Sequence, residues 1–387
     1  MTVDLLIKNG TVLDPSQQLK GKYDVVVSEG RITEFYQLGA ISAELAPKEI
    51  LDASDCFVTP GLIDIHTHAF ECGTALGINA DSVGVQQGVT TIVDAGSTGV
   101  DTFEEFVQKV VQKSTTQVLA WINIARDGLR SSLSELADLE NLAPQETIEM
   151  IRQNELIRGI KVRMSGSVVK ESGLRPLLIA KKAAQTADVP LLVHVGNAPP
   201  ALGEILEVLG KGDVMTHTFH GKAGGIIDSK GELIPQARAA LQRGVLFDIG
   251  HGSASFSFLT MKRAKELGIK PYSISTDIHK RNLNGPVHSL LLTLSKFLAL
   301  GFSLEEVIEA STSAPAKMLG LSDKIGTLKI GTVADISVLS IDKGSISFTD
   351  SDGNKLVGQQ LLQSKYTIRA GKVIKNGNDF KNNSRCS

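Results

Sequence analysis

The sequence predicts a (β/α)8 TIM barrel of the α/β class, carrying a small β-sandwich domain built from both termini. Three observations support this. Between about Pro60 and Leu321, short β-branched runs alternate with amphipathic helical stretches, the texture of repeated βα units around a parallel sheet. Eight such runs can be counted, and their span of about 260 residues is close to the ~250 usual for a closed barrel. The flanking segments alternate apolar and polar positions in short runs punctuated by Gly, Asp and Pro, without helical periodicity.

In chain order, residues 1–58 contain LLIKNGTVLD, DVVVSEGRITEF and EILDASDCFVTP, which read as β-hairpins forming the first part of the sandwich. Residues 59–325 are expected to form the barrel. Its strands are GLIDIHTH, GVTTIVDAG, QVLAWINIA, RGIKVRMS, VPLLVHVG, DVMTHTFHG, GVLFDIGHG and PYSISTD, separated by helical stretches such as TFEEFVQKVVQK and LRPLLIAKKAAQ. Residues 326–387 return to β-runs in GTLKIGTVADISVLS and KYTIRAGKVIKNG. The likeness of IRAGKVIKNG to LIKNGTVLD predicts that the two ends share a sheet. The tail KNNSRCS has nothing to bury and is expected to fray.

Composition narrows the function. Forty Lys and Arg against 42 Asp and Glu leave a charge of −2, too weak a field for a nucleic-acid or anionic-membrane partner. An aromatic content of 5% also argues against base-stacking platforms. The longest apolar stretch, Ser289 to Leu300, carries Lys296 and falls short of the ~20 residues that span a bilayer. The start, MTVDLLIKNG, has an acid where a signal peptide carries bases, so a cytoplasmic protein is expected. Cys56, Cys72 and Cys386 lack the number and spacing of a disulfide framework and read as free thiols.

A barrel enzyme works at the C-terminal ends of its strands. There the first strand has Asp64, His66 and His68, the fourth Lys161, the fifth His194, the sixth His217 and the eighth Asp277. His66 and His68 are two apart on an extended strand, so both point to one side and can grip one ion. A lone histidine at a strand end is usually a packed core or surface residue. Leaving Asp64 aside, six such groups on one rim instead suggest a two-metal hydrolytic centre of imidazole and oxygen donors, with zinc as the expected metal.

With these residues in view, the chain resembles the amidohydrolase superfamily of metal-dependent hydrolases over nearly its whole length. PGLIDIHTH at 60–68 is similar to that superfamily's Pro-Gly-x-x-Asp-x-His-x-His opening, and the terminal β-runs resemble its accessory sandwich. The resemblance implies that Lys161 is carboxylated and bridges two metals, that His194 and His217 hold the second metal, and that Asp277 completes the site. GIKVRMSGSVV, HTFHGKAGG, FDIGHGSASFS and STDIHKRNLNGPV resemble the deacetylase group of that superfamily, some of whose members carry dihydroorotase or adenine deaminase labels.

The chemistry behind that implication is simple. Adding carbon dioxide to a neutral lysine gives an anion with two oxygens, able to bridge ions ~3.5 to 4 Å apart. Two ions acidify a water and polarise a carbonyl, and Asp277 can take the water's proton and return it to the leaving group, or serve as a ligand only. His220, three residues beyond His217, is an alternative sixth-strand ligand. Arg163, His251 and His279 are candidate substrate contacts, each with a structural alternative. Asp64 is expected to orient His68 or its neighbours, and Cys72, in the loop after the first strand, to be a packed thiol.

The expected activity is hydrolysis of an amide or ester bond in a small acylated compound, a deacetylase reaction. The alternative is a cyclic amidase. Dihydroorotases place an arginine soon after the second histidine, whereas His68 is followed by Ala69 and Phe70. Hydantoinases use a tyrosine soon after the bridging lysine, and none follows Lys161 nearby. A purine deaminase ranks lower, because no aromatic pocket is legible. A scaffold relative that has lost its ligands ranks lowest, because all six donors are kept. A small molecule is the expected partner, and homo-oligomerisation is compatible with this reading.

Overall fold

The computed structural model describes residues 2–40 and 45–374. The N-terminal strands are β1 (Thr2–Lys8), β2 (Thr11–Asp14), β3 (Leu19–Ser28), β4 (Arg31–Gln37), β5 (Ala46–Asp52) and β6 (Phe57–Pro60), with one 3-10 turn at Pro15–Gln17 where only strands were expected. The barrel follows with β7 (Leu62–Thr67), β8 (Val89–Ala95), β9 (Gln117–Asn123), β10 (Ile157–Met164), β11 (Leu191–Val195), β12 (Val214–Thr216) and β13 (Leu246–Phe247). These seven pair in sequence order, and all pairings are parallel. The eighth staves the gap through residues 273–278, bridged in parallel from Ser273 to Asp248 and from Ile278 to Thr67. Each of the eight runs expected from the sequence therefore lies at its place in the barrel.

Period-two alternation sends side chains to two layers. Ile160 and Val162 pack outward in the main core beneath the helices, as do Val193 and Val195, so Lys161 and His194 project to the other side. Ile63, Ile65, Val93, Leu119, Trp121 and Leu192 fill a second cluster with Met318, Leu319 and Leu321. The ladder between β7 and β8 slips between Asp64 and Thr67. Nearby, the carbonyl of Ile65 accepts a bond of 3.0 Å from Trp121 Nε1.

The chain ends on β14 (Ile336–Thr349), β15 (Lys355–Arg369) and β16 (Lys372–Ile374). Among the described residues, the order β16-β15-β14-β6-β2-β3-β1-β5 joins both ends of the chain. Leu5, Ile7, Val25 and Val27 share a core with Leu328, Ile336, Val338 and Ile368. The buried Asp14 ties the two halves, accepting from the Leu328 amide at 2.6 Å.

The β14–β15 hairpin is longer than the sequence runs suggested. Its outer half leaves the sandwich and lies on the helix Leu290–Ala299, where the Leu362 amide donates to Ser295 Oγ at 2.9 Å, and Phe348 and Leu362 join the barrel core. No described helix is long and apolar enough to cross a membrane. Cys56 is a buried free thiol, as expected. Cys72 is exposed in the loop after β7, which corrects its assignment as a packed thiol. Cys386 and the tail expected to fray lie outside the described residues.

Trp121 is the one tryptophan of the sequence and is fully buried. Trp121→Phe keeps the aromatic bulk but leaves the Ile65 carbonyl without its donor. We expect a loss of about 1–3 kcal/mol in denaturant unfolding followed by circular dichroism. An unchanged midpoint would show that the bond is not needed.

Candidate metal centre

The end of β7 brings His66 and His68 to the rim. His66 Nδ1 lies 2.9 Å from Thr216 Oγ1, which itself donates to Asp248 Oδ2 at 2.7 Å. The hydroxyl proton is thus committed to Asp248, so Thr216 accepts from His66 Nδ1–H and the His66 Nε2 lone pair points into the barrel. Asp248 also accepts from Ser273 Oγ and Ser275 Oγ at 2.6 and 2.7 Å. His68 Nδ1 sits 2.9 Å from Ser97 Oγ, whose backbone amide donates to Asp94 at 2.7 Å.

Asp277 closes the group. Its Oδ1 is 3.4 Å from His66 Nε2 and 3.2 Å from His68 Nε2, and its Oδ2 is 3.9 Å from His217 Nε2. Donor atoms of His66, His217 and Asp277 all lie within 4.8 Å of one another. The His194 and His217 rings meet edge to face with centroids 4.4 Å apart. Lys161, 1% exposed, ends 2.9 Å from His66 Nε2. The structure therefore brings His66, His68, Lys161, His194, His217 and Asp277 to one place.

The electrostatics favour ligand forms. Burial pushes the imidazoles of His66 and His194 well below their ordinary range and brings His217 down to about 3, so these rings are neutral. Burial also pulls the Lys161 ammonium down to about 7. For Asp277, burial acts upward, but in the acid range where His66, His68 and His217 take up protons their charge, with the His68 contact, outweighs it and holds the carboxyl well below the usual range.

His217 provides the test of fit. Its Nδ1 donates to the Gly250 carbonyl at 2.6 Å, which leaves Nε2 as a buried lone pair with no hydrogen-bond partner. That orphan, the His66 Nε2 lone pair and a carboxylate converge as acceptors, a donor set suited to a divalent cation. Both His217 and Asp277 have left-handed backbones, with φ of 64° and 50°. Such strain in non-glycine residues collects at functional sites.

Other expectations fare differently. His220 stands outside the donor cluster, its Nδ1 accepting from the Lys222 amide at 3.1 Å. Asp64 holds His66, the neighbour of His68: it accepts from the His66 amide at 3.2 Å and from Thr276 Oγ1 at 2.5 Å, joining the first strand to the eighth. Burial raises its carboxyl to about 7. Arg163 keeps a side chain 16% exposed and donates to the buried Glu135 at 2.9 Å. The His279 ring lies 6.1 Å from that of His68, with Ser253 Oγ at 3.4 Å from Nε2. His251, the third candidate substrate contact, sits deeper than Arg163 and His279. It is fully buried, with Nε2 facing Lys296 Nζ at 2.7 Å and Nδ1 facing the Gly252 carbonyl at 3.0 Å.

Sequence reasoning missed Thr216, Asp248, Ser97 and Asp94. Their one signal was position, since each lies at or just past the end of a strand.

A closed parallel barrel with imidazoles, a lysine and an aspartate gathered at its C-terminal rim, three of them placed where they could hold a metal ion, defines the class as a barrel hydrolase. The amidohydrolase family model matches residues 57–374, and the chain belongs to that family. It is 38% identical over 380 residues to a deacetylase of Enterococcus faecalis, covering 97% of this chain and 100% of that one. It is 36% identical over 338 residues to the deacetylase Atu3266 of Agrobacterium fabrum, covering 86% and 83%. A solved structure described as an adenine deaminase superposes with a TM-score of 0.90 at 37% identity, covering 97% and 100%. Another, described as a dihydroorotase, gives 0.86 at 32% identity, covering 96% and 99%.

Partners behind metal-binding histidines fix ring orientation and proton placement. Thr216→Val removes the acceptor of His66 Nδ1–H while keeping the side-chain shape. We expect metal affinity, read by competition with a chelator, to fall about 10- to 100-fold. Unchanged affinity would show that Thr216 does not hold the ring.

Proposed function

We propose that this chain is a deacetylase of the amidohydrolase family, hydrolysing the amide or ester bond of a small acylated compound at a pair of zinc ions. The observation that carries the reading is the orphaned His217 Nε2, buried and facing Asp277 across 3.9 Å. In this reading His66, His68 and Asp277 would hold one ion and His194 and His217 the other, and Lys161 would add an anionic oxygen donor as its carbon-dioxide adduct. On the same reading residues 59–325 are the catalytic unit, and the described parts of 1–58 and 326–387 supply its sandwich and the hairpin that leaves it.

The bound ions would supply a more acidic water and polarisation of the substrate carbonyl. Asp277 accepts that water's proton at a carboxylate oxygen as the water oxygen bonds to the carbonyl carbon. The acyl carbon then releases its nitrogen or oxygen, and Asp277 returns the proton to that leaving atom. His279 and the exposed part of Arg163 lie at the edge where the remainder of the substrate would rest. The deacetylase relatives support acyl transfer to water. The resemblance to a dihydroorotase structure makes cyclic ureides the competing substrate class, but the residue after His68 is the fully buried Ala69, which offers no cationic anchor there.

Three outcomes are expected. Purified protein binds about two divalent ions per chain by elemental analysis, and a screen finds N-acyl or O-acyl compounds hydrolysed in preference to cyclic ureides; the opposite preference would overturn the deacetylase reading. Intact mass under gentle ionisation shows Lys161 with one added carbon dioxide in metal-loaded protein, and Lys161→Ala abolishes paired binding. An unmodified lysine with both metals in place would refute the adduct. Asp277→Asn retains most of its metal yet loses at least roughly a hundredfold in kcat, the lower end of what a positioned acid or base contributes. Near-normal turnover with metals bound would reduce Asp277 to a ligand.

A further inference from the structure

Lys296 lies in the helix Leu290–Ala299 and is 1% exposed, beside Leu294 and Phe297 of the core. An ammonium so deeply buried needs acceptors. It finds two, the Pro286 carbonyl at 2.8 Å and His251 Nε2 at 2.7 Å. The second bond makes Nε2 an acceptor and puts the imidazole proton on Nδ1, which faces the Gly252 carbonyl at 3.0 Å and Ser351 Oγ at 3.3 Å.

Ser351 belongs to the turn between β14 and β15, at the far end of the hairpin that leaves the sandwich. Its hydroxyl is 2.9 Å from the Gly252 carbonyl and 3.1 Å from the His251 carbonyl. The turn is itself anchored. Buried Asp350 accepts from the amides of Phe258, Asp352 and Asn354 at 2.8, 2.9 and 2.8 Å, and the Ser351 amide donates to the Phe256 carbonyl at 3.0 Å.

The segment gripped in this way, residues 250–252, lies against the candidate ligands. The Gly250 carbonyl is the partner of His217 Nδ1. A Cβ at Gly250 would stand 2.1 Å from Thr216 Oγ1 and 2.8 Å from His217 Nδ1, and one at Gly252 would stand 2.7 Å from Asp277 Oδ2. Both glycines have positive φ, 48° and 55°, so the backbone fits here without side chains and without slack.

We propose that Lys296 and Ser351 are positioning residues of the metal centre, and that the β14–β15 turn is a clamp from the C-terminal hairpin that fixes the 250–252 segment and, through it, His217 and Asp277. The inference rests on the metal-centre reading of the preceding subsection. Neither residue touches the reacting atoms. Their effect passes through the Gly250 carbonyl and the close packing of Gly252 on Asp277.

The test uses full-length protein loaded with Co2+, whose visible absorption reports ligand geometry without turnover. Ser351→Ala and Lys296→Met should each shift the Co2+ bands and weaken Co2+ affinity about 10- to 100-fold, the range seen when supports behind metal ligands are removed. Both should lower kcat more than they raise KM. Lys355→Ala, exposed at the start of β15 in the same hairpin, should match wild type. Wild-type bands and affinity in Ser351→Ala would overturn the clamp, even if metal-free stability fell, because that pattern marks a merely structural role. Should Lys296→Met fail to fold, Ser351→Ala alone decides. Failure of the wild type to bind Co2+ would overturn the metal-centre reading and this inference with it, an outcome distinct from wild-type binding with unaffected variants.

Discussion

The convergence of acceptor atoms in a largely buried site is the constraint on which the rest of the rim depends. His217 Nε2 is buried without a partner, His66 Nε2 points inward, and Asp277 lies between them. Unpaired polar atoms in such surroundings cost free energy, and lone pairs that face one another add repulsion. A divalent cation reverses the sign of both effects. The surrounding bonds make sense on that basis, since Thr216, Ser97 and the Gly250 carbonyl each engage the outer nitrogen of a ring and leave the inner one turned toward the site.

The barrel supplies this arrangement because parallel strands end together, and alternation places every second side chain inside. The sixth and eighth staves depart from regular strand geometry where function needs it, at the positive φ of His217 and Asp277. Asp64 and Asp248 hold these departures, one bonding Thr276 and the other Thr216. The sandwich does more than cap one side of the barrel. Its hairpin runs over the helix that carries Lys296 and reaches the turn of backbone after β13, where the fold and the site meet.

The legible parts of this architecture were those written in local periodicity or in residue type at a strand end. The eight staves could be found because each is a short apolar run, and PGLIDIHTH stood out because two histidines at spacing two on a strand are uncommon without a metal. Lys161 was visible as a cation at the end of an apolar run. Thr216, Ser97 and Asp248 were not, because hydroxyls and single acids are common everywhere and acquire meaning only from the ring they face. The length of β14 and β15 was hidden because their outer halves, KGSISFT and KLVGQQLLQ, mix polar residues into strands that bury one edge on a helix. His251 is a candidate substrate contact because sequence places it at the rim. Its burial by Lys296 and Ser351 depends on two segments 45 and 100 residues away.

The central claim is that the inward-facing nitrogens and the carboxylate are metal ligands. Anomalous diffraction above the zinc absorption edge from crystals of zinc-loaded protein tests it most directly. The account predicts two peaks at the barrel rim, one bonded to His66, His68 and Asp277 and the other to His194 and His217, with continuous density from Lys161 between them. A zinc-saturated crystal with its peaks elsewhere, and the His217 Nε2 atom facing only water, would contradict it.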